Sequence, residues 1–227
     1  MKIYHGSPNI IDKPIYGYGK IHNDYGLGFY CTESKDLAKE WSVDYGLDGY
    51  ANCYELNLQG LKVLNLNDGS YTALHWLALL LRNRKFKDKS VLVRDAKEYL
   101  IKNYKIDYSK YDVIIGYRAD DSYFSFARDF LQGTISYRQL AIALKLGNLG
   151  EQVVLKSEKA FNSIRFIDSE KAFSCEWYPK KIKRETDAKN EYFNSKRMER
   201  KKGDLYINQI IDEEMEANDE RLQRSLY

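Results

Sequence analysis

The sequence has few cysteines and few prolines, with three of each among 227 residues. Cys31, Cys53 and Cys175 lie far apart and form no Cys-x-x-Cys pair, so the sequence predicts neither a disulfide framework nor a zinc site. Cys31 is a candidate for a Cys-His nucleophile, but it lacks an orienting partner pattern, and cysteine is commonly a small buried hydrophobe. We therefore expect reduced thiols and no metal.

Long apolar runs are also missing. No stretch approaches the roughly 20 residues that a membrane-spanning helix needs, and the chain begins with a strand-like run, not with a charged and then apolar signal segment. The sequence therefore predicts a cytoplasmic protein without a membrane partner. No Gly-x-Gly-x-x-Gly follows a strand, which excludes a Rossmann-type dehydrogenase. A net charge of +3 is too small for an argument from overall electrostatics.

The composition is that of a folded domain. Hydrophobic residues make up 44% of the chain and aromatic residues 14%, which is enough for one substantial core. Period-two strands alternate irregularly with helices and show no regular βαβ rhythm, so we expect an α+β fold with mostly antiparallel sheets. The predicted strands cover residues 1–4, 28–31, 51–57, 60–65, 112–116, 152–156 and 163–167, the last two paired with each other, and the predicted helices cover residues 74–81, 91–104, 123–131 and 136–144.

The first candidate site motif is Tyr4-His5-Gly6-Ser7, at the end of the first predicted strand. Gly6 lets a ligand approach the backbone closely. A planar carboxamide such as that of nicotinamide needs a donor and an acceptor side by side, and the main chain of one residue supplies both, while His5 can bind a ribose hydroxyl. A structural role for His5 is the alternative. The motif predicts a nicotinamide-binding edge.

The second motif is the run from Gly26 to Thr32, which places Tyr30 on a short strand. Thr32 or Ser34 can cap the helix that follows, and the apolar face of that helix includes Trp41. Tyr30 is then either a core aromatic or a ring that stacks on nicotinamide.

With these motifs the chain resembles the diphtheria-toxin-like ADP-ribosyltransferases, which include the poly(ADP-ribose) polymerases and carry a His, a Tyr and a late Glu. The resemblance covers about residues 1–175, and it implies a split, two-sheet antiparallel core with helices. More closely, the chain is similar to a group of bacterial transferase-like proteins, some of which are thought to be toxins paired with small antitoxins. The runs that match the transferase superfamily are His5-Gly6-Ser7, Gly28-Phe29-Tyr30-Cys31-Thr32 and Gly150-Glu151-Gln152-Val153-Val154-Leu155, and the bacterial group is matched in addition by Arg118-Ala119-Asp120-Asp121.

The resemblance also implies roles for later residues. A second aromatic faces nicotinamide eleven positions after the motif Tyr, and here it is Trp41. Cleavage of the nicotinamide–ribose bond passes through an oxocarbenium-like state, so an anion near the ribose lowers the barrier. Glu151 is the natural choice, but side chains alternate along a strand, so only one of Glu151 and Gln152 faces the cleft. The sequence leaves open which one, and a neutral amide would stabilise positive charge less.

Further cofactor contacts are predicted in the run from Arg118 to Asp121, which follows a strand-like apolar run. Side chains at strand ends often converge on a cleft, and the planar fork of Arg118 suits a pyrophosphate. Asp120 either lines the cleft or caps the next helix. Ser7 and Thr32 complete the predicted set of cofactor contacts.

The function that the resemblance implies is an NAD-dependent mono-ADP-ribosyltransferase, a bacterial toxin or defence effector. It would move ADP-ribose from NAD, its substrate, to a macromolecular acceptor, either protein or nucleic acid, and release nicotinamide. Leu149, two positions before Glu151, departs from the Gln/Glu-x-Glu pattern of arginine-modifying transferases, so arginine is a poor candidate acceptor. The alternatives are an NAD glycohydrolase and a catalytically reduced NAD-binding or interaction module. An antitoxin-like protein is a candidate partner.

Pro179 marks the predicted boundary between a transferase-like domain, residues 1–178, and a charged helical extension, residues 179–227. The extension is basic up to Lys202 and acidic beyond Gly203, which fits a nucleic-acid-contacting face, two helices whose charges pair, or a solvated tail. We expect the extension to select the macromolecular partner and to contribute little to NAD chemistry. Its apolar residues at near-helical spacing, which must be covered by the domain or by a partner, are Leu205, Ile207, Ile210, Ile211 and Met215.

Overall fold

The computed structural model describes residues 1–86, 90–119, 121–144, 150–196 and 201–224, and the chain divides into two units. The first unit contains residues 1–65, 108–118 and 149–186, and the second contains residues 66–107, 119–148 and 187–227. Both units are therefore built from three separate pieces of the chain. The predicted boundary at Pro179 lies inside a helix, α7 (Ser174–Lys196), instead of between two domains.

The strands of the described part of the chain all belong to the first unit and form two sheets. One sheet has the order β1-β3-β7, and the other has the order β2-β6-β5-β4. Every pair is antiparallel except β4 with β5. The strands are β1 (Lys2–Ser7), β2 (Phe29–Cys31), β3 (Gly49–Leu56), β4 (Val63–Asn65), β5 (Val113–Tyr117), β6 (Glu151–Leu155) and β7 (Ile164–Ala172).

The predicted α+β fold with mostly antiparallel sheets is confirmed, but one predicted pairing is wrong. The strand expected over residues 163–167 pairs with β3 and not with β6. The reason is that both edges of β6 are already occupied, by β2 on one side and by β5 on the other. The implied match to the transferase core stays a prediction.

One face of each sheet contributes to a common buried cluster, and we call this the core face. Because side chains alternate along a strand, the opposite, outer face carries the residues between them. On β1 the core face carries Ile3, and on β6 it carries Val153 and Leu155. The other buried members of the cluster are Phe29, Cys31, Tyr54, Leu56, Val113 and Ala160.

The first unit also contains the helices α1 (Lys35–Ser42) and α6 (Glu158–Phe161) and the first half of α7. Ser34, one of the two predicted caps, is the N-cap of α1. Its hydroxyl accepts a hydrogen bond from the Leu37 N–H at 3.3 Å. The Arg184 guanidinium on α7 forms two hydrogen bonds, of 2.8 and 3.0 Å, with the nearly buried Glu40 carboxylate on α1. The start of the predicted extension is thus bound to the helix that carries Trp41.

The second unit is helical in its described residues. The four helices predicted from residue 74 to residue 144 are confirmed, with small differences at their ends. Besides the second half of α7, the unit contains α2 (Ala73–Asn83), α3 (Val91–Asn103), α4 (Asp121–Leu131), α5 (Tyr137–Ala143), α8 (Ile207–Asp212) and α9 (Glu220–Arg224).

The apolar residues of the extension are covered by the second unit itself. Four of the five are buried, and Ile211 is half-buried. Glu214 ends α8 with a φ of 48°, and the N–H of Met215 bonds the Ile210 carbonyl in the arrangement of a Schellman cap. The Tyr104 hydroxyl also donates to the Met215 carbonyl at 2.6 Å. The stripe therefore needs no partner protein to cover it.

Several basic side chains of α7 are engaged within their own units. Lys180 pairs with Glu176 at 2.9 Å, and the Lys181 ammonium donates to the Val43 carbonyl at 3.0 Å. Lys196 pairs with Asp129. These contacts weaken the case for α7 as a nucleic-acid-contacting face, because each neutralised cation contributes less to phosphate binding.

Candidate functional site

The two edges of β1 are paired very differently. Along one edge, β1 pairs with β3 at six successive positions, from Lys2 opposite Glu55 to Ser7 opposite Tyr50. Along the other edge, the main chain of Tyr4 exchanges two hydrogen bonds with Thr32, of 2.7 and 2.9 Å, as an isolated bridge. Continuing that antiparallel register by two residues would place Gly6 opposite Tyr30, but the pairing stops.

The main chain of Gly6 faces this second edge, which we call the open edge of β1. In an antiparallel strand, every second residue directs its N–H and C=O groups toward the same edge. The N–H and C=O of Gly6 therefore point toward the same edge as those of Tyr4. Among the described residues, no hydrogen bond is made by Gly6 at this edge. Gly6 thus presents an adjacent donor and acceptor, the pair that a carboxamide needs.

His5 explains why the pairing stops at this point. Its Nδ1 lies 2.7 Å from the Tyr30 carbonyl oxygen, and its ring stacks on Phe29 with centroids 4.3 Å apart. A carbonyl oxygen only accepts, so Nδ1 carries the proton. Burial lowers the pKa of His5, and the hydrogen bond to Tyr30 offsets this only in part, so the ring is neutral near pH 7 and its Nε2 is an acceptor. His5 occupies the carbonyl that the Gly6 N–H would otherwise use.

The absence of a side chain at Gly6 serves the fold. A Cβ there would lie 2.2 Å from the Ala38 carbonyl oxygen and 2.9 Å from the Trp41 Cβ, both on α1. The interpretation that Gly6 is small so that a ligand can approach is therefore incomplete, because α1 already occupies the space above it. The donor and acceptor of the open edge belong to the main chain and are unaffected.

Trp41 and Arg118 lie against each other. The Arg118 guanidinium carbon is 4.9 Å from the centre of the Trp41 ring, and the Arg118 N–H donates to the Gly150 carbonyl at 3.4 Å. Contacts therefore run from Gly6 through Trp41 and Arg118 to the residue before Glu151. The Trp41 Nε1 is buried and has no hydrogen-bond partner among the described residues. It is a donor that a ligand can use, and the pyrophosphate role of Arg118 stays a prediction.

Tyr30 lies on the outer face of β2, between the core-face residues Phe29 and Cys31. Its hydroxyl accepts from the Tyr25 N–H at 3.1 Å and donates to the Gly26 carbonyl at 2.5 Å. The hydroxyl therefore fixes the segment that precedes β2. The predicted stacking of the half-buried ring on nicotinamide stays a prediction.

Glu151 and Gln152 point to opposite sides of β6. Glu151 is exposed, lies on the side of the core face and is opposite Tyr117, whose pKa is raised by burial and then by the Glu151 charge. Gln152 lies on the outer face and is 7% exposed. Its Oε1 has no hydrogen-bond partner among the described residues. Tyr30 is opposite Val154, so Gln152 and not Glu151 shares the face of Tyr30.

Ser7 and Thr32 are buried and bind the backbone beside them. The Ser7 hydroxyl accepts from the Asn9 N–H at 3.1 Å, and the Thr32 hydroxyl accepts from the Ser34 N–H at 3.2 Å. These bonds shape the loop after β1 and the start of α1. Asp120 lies outside the described residues.

Lys156 is a residue of this region that the sequence analysis missed. It follows β6 directly, and its ammonium donates to the Tyr25 carbonyl at 2.5 Å and also to the Leu27 carbonyl. Burial lowers the pKa of Lys156 to about 8. Lys156 and Tyr30 therefore both form hydrogen bonds with the segment before β2, residues 25–27. The only signal in the sequence was a lone lysine at the end of an apolar strand, which is usual for an exposed strand end.

Cys31 packs in the core cluster, and burial raises its pKa well above the ordinary value for a thiol. It is therefore a poor nucleophile. Within the described ranges, no group of three or more His, Cys, Asp and Glu side chains is arranged to hold a metal ion. No helix in that part of the chain is both long enough and apolar enough to cross a membrane.

Comparison with known proteins gives a family. The model of a family described as "Protein of unknown function (DUF3990)" matches residues 1–166. The chain belongs to the DUF3990 family. No curated protein and no solved structure matches the chain.

The DUF3990 match contains every candidate site residue from His5 to Gln152 and ends within β7. Helices α7 to α9 lie outside it. The open edge of β1, the Trp41–Arg118 contact and the start of β6 thus all belong to the part of the chain that defines the family.

Proposed function

We propose that this DUF3990 protein is an NAD-dependent ADP-ribosyltransferase that binds nicotinamide at the open edge of β1. The observation that carries the proposal is the interruption of pairing between β1 and β2 at Gly6. Strand edges are normally paired or protected, because unpaired N–H and C=O groups invite other chains. An edge that is opened by a half-buried histidine and left with one donor and one acceptor is suited to a small planar ligand.

The carboxamide of nicotinamide fits these groups in one orientation. The Gly6 N–H donates to the carboxamide oxygen, and the Gly6 carbonyl accepts from the carboxamide NH2. Trp41 lies on the helix that covers this glycine, with its Cβ beside Gly6, and Tyr30 is the residue that faces Gly6 across the interrupted register. Aromatic rings so placed suit stacking on the pyridinium ring, whose positive charge is attracted to an aromatic face.

The reaction at this site exchanges one bond to the ribose C1′ for another. The bond between C1′ and the nicotinamide nitrogen breaks, and its electron pair stays on that nitrogen and neutralises the pyridinium charge. The acceptor nucleophile forms the new bond to C1′ and loses its proton to solvent. A protein or nucleic-acid acceptor gives ADP-ribosylation, and a water acceptor gives NAD hydrolysis. As toxin or defence effector, the protein would use the first route.

A second candidate function is an NAD-binding or interaction module with reduced catalysis. It is favoured by the position of Gln152, because the side chain on the face of Tyr30 is a neutral amide. An amide can bind a hydroxyl but is a poor complement to the positive charge of an oxocarbenium-like state.

Binding is tested with nicotinamide and nicotinate. Nicotinate has no N–H to offer the Gly6 carbonyl, and its carboxylate would face that carbonyl instead. We expect nicotinamide to bind at least about tenfold more tightly by calorimetry, which is the effect of one hydrogen bond and a repulsive contact. Nicotinamide should also shift the Gly6 amide resonance in an NMR spectrum. Equal binding of the two compounds, or none of either, would refute the proposed edge site.

Turnover is tested by incubating the protein with NAD and a cell lysate. Mass spectrometry should detect free nicotinamide together with ADP-ribose attached to a macromolecule. Free ADP-ribose without modified macromolecules would identify a glycohydrolase. Binding of NAD without release of nicotinamide would favour the binding module.

A further inference from the structure

Gln152 carries an unsatisfied hydrogen-bond acceptor. The residue is 7% exposed, and no described residue donates to its Oε1. Buried polar groups in native proteins almost always have partners, since a buried acceptor without one is costly. A native orphan of this kind is an indication of a ligand that supplies the missing donor.

The position of Gln152 points to the same ligand as the open edge. Continuing the β2–β6 register from Cys31 opposite Val153 places Gln152 opposite Thr32, the residue that bridges to Tyr4. On its other side, Gln152 pairs with Gly116, which has no side chain. Gln152 therefore lies side by side with Thr32 and Tyr4 across the strands. Gly6 and Tyr30 lie two residues away along their strands, and all of these positions share the outer face.

Glu151 does not share this position. It lies one residue earlier on β6 and therefore on the side of Val153 and Leu155, which belong to the core face. Moving it to the outer face would require a one-residue shift of β6 against both β2 and β5, which would turn Val153 and Leu155 out of the core.

We propose that the Gln152 carboxamide oxygen accepts a hydrogen bond from a ribose hydroxyl of a bound nicotinamide nucleotide, and that Glu151 does not contact that ribose. The inference rests on the proposed function and names the group that holds the sugar beside the ring. It also makes the ribose contact neutral, so the contact serves affinity more than charge stabilisation.

The test is Gln152→Met, which keeps the length of the side chain and removes its polar end. The affinity for NAD should fall about tenfold, the effect of losing one hydrogen bond to the ligand, while the affinity for nicotinamide alone, which has no ribose, should not change. The ligand-free variant should melt about 2–4 °C higher, because the orphaned acceptor is gone. Gln59→Met, at an exposed turn, is the matched control and should change neither property.

The outcomes separate the inference from the function on which it rests. A wild-type protein that does not bind NAD overturns both. If the wild type binds NAD and Gln152→Met binds it equally well, the inference is wrong and the function stands. A lower melting temperature in Gln152→Met would show an ordinary structural amide and would also overturn the inference.

A second pair of variants covers the case in which Gln152→Met does not fold. Gln152→Glu restores a carboxylate at the proposed ribose contact and should bind NAD and release nicotinamide at least several-fold faster than the wild type, because the charge now complements the transition state. Glu151→Gln should leave the affinity for NAD unchanged, because Glu151 does not contact the ribose. A loss of NAD affinity in a folded Glu151→Gln variant would assign the ribose contact to Glu151 and overturn the inference.

Discussion

The two edges of β1 show how one strand can be both structure and site. The edge toward β3 is paired along its whole length, and its side chains reinforce the pairing, since the Asn52 amide donates to the carbonyls of His5 and Asn9. The edge toward β2 has a single bridge, between Tyr4 and Thr32. The same backbone is thus closed on one side and open on the other.

The difference between the edges depends on two neighbouring residues. The His5 ring gives the Tyr30 carbonyl a hydrogen-bond partner at the point where the pairing of β2 with β1 stops. Gly6 allows α1 to lie directly over the strand, so the opening is covered from the outer face. An open edge inside a folded domain therefore requires that the neighbouring strand be satisfied by another group and that the opening be shielded from other chains.

The strongest disturbance of this arrangement is expected from Gly6→Ala. The new Cβ would meet the Ala38 carbonyl at 2.2 Å, and backbone cannot move away as a flexible side chain does. We expect a loss of about 3 kcal/mol or more in the free energy of unfolding, measured by urea denaturation. Gly46→Ala is the control, because Gly46 has a φ of 69° and open space around it, and should cost about 1 kcal/mol. Equal costs at the two positions would show that α1 does not press on the open edge.

The next largest effect is expected from Arg184→Ala, which loosens α1 over the open edge. The variant leaves the Glu40 carboxylate, 5% exposed, without its two hydrogen bonds. Breaking a buried pair costs about 3–5 kcal/mol, and the partial exposure of Arg184 reduces this to about 2–3 kcal/mol. Nicotinamide affinity should fall as well, because α1 carries Trp41. Arg165→Ala removes an exposed pair with Glu55 and should cost at most about 0.5 kcal/mol.

Arg184→Ala also tests the predicted role of the extension. The sequence favoured an extension that is dispensable for NAD binding, but truncation after Tyr178 would remove Arg184 from Glu40. Unchanged nicotinamide affinity in Arg184→Ala would restore the original prediction.

The sequence predicted those features that depend on local pattern. Alternating apolar residues located the strands, helical spacing located α2 to α5, and Ser34 was one of two candidate caps for α1. Alternation also predicted that Glu151 and Gln152 would lie on opposite faces of one strand, which the structure confirms.

The features that the sequence did not predict depend on which segments meet. Nothing in residues 163–167 indicates that β7 pairs with β3, more than a hundred residues earlier, since many strands present the same apolar alternation. The fit of α1 on Gly6 and the bond from Lys156 to the Tyr25 carbonyl are likewise contacts between distant segments. The sequence could not tell which of Glu151 and Gln152 shares the face of Tyr30, because alternation separates two faces without showing which one packs in the core. The core cluster, which contains Val153 and Leu155, shows it.

The smallest and most specific effect concerns the pH dependence of the open edge through His5. Burial lowers the pKa of His5 in the folded protein below its ordinary value of 6.5. Below pH 6.5 the His5 ring therefore binds a proton more readily in the unfolded chain than in the folded protein. The contribution of His5 to stability is thus present above pH 6.5 and is lost as the pH falls. His75 has the same sign, so the wild type must be compared with single variants.

His5→Gln keeps a donor for the Tyr30 carbonyl but does not titrate, so it should lose less stability between pH 7 and pH 5.5 than the wild type does. His75→Gln is the matched control, and the pH dependence due to His5 should persist in it. Nicotinamide affinity should fall over the same range in the wild type and in His75→Gln, because a protonated ring is less readily held beneath the open edge. Urea denaturation and calorimetry at several pH values measure both effects. If His5→Gln and the wild type show the same slope of stability with pH, then a neutral, half-buried His5 does not hold the edge open.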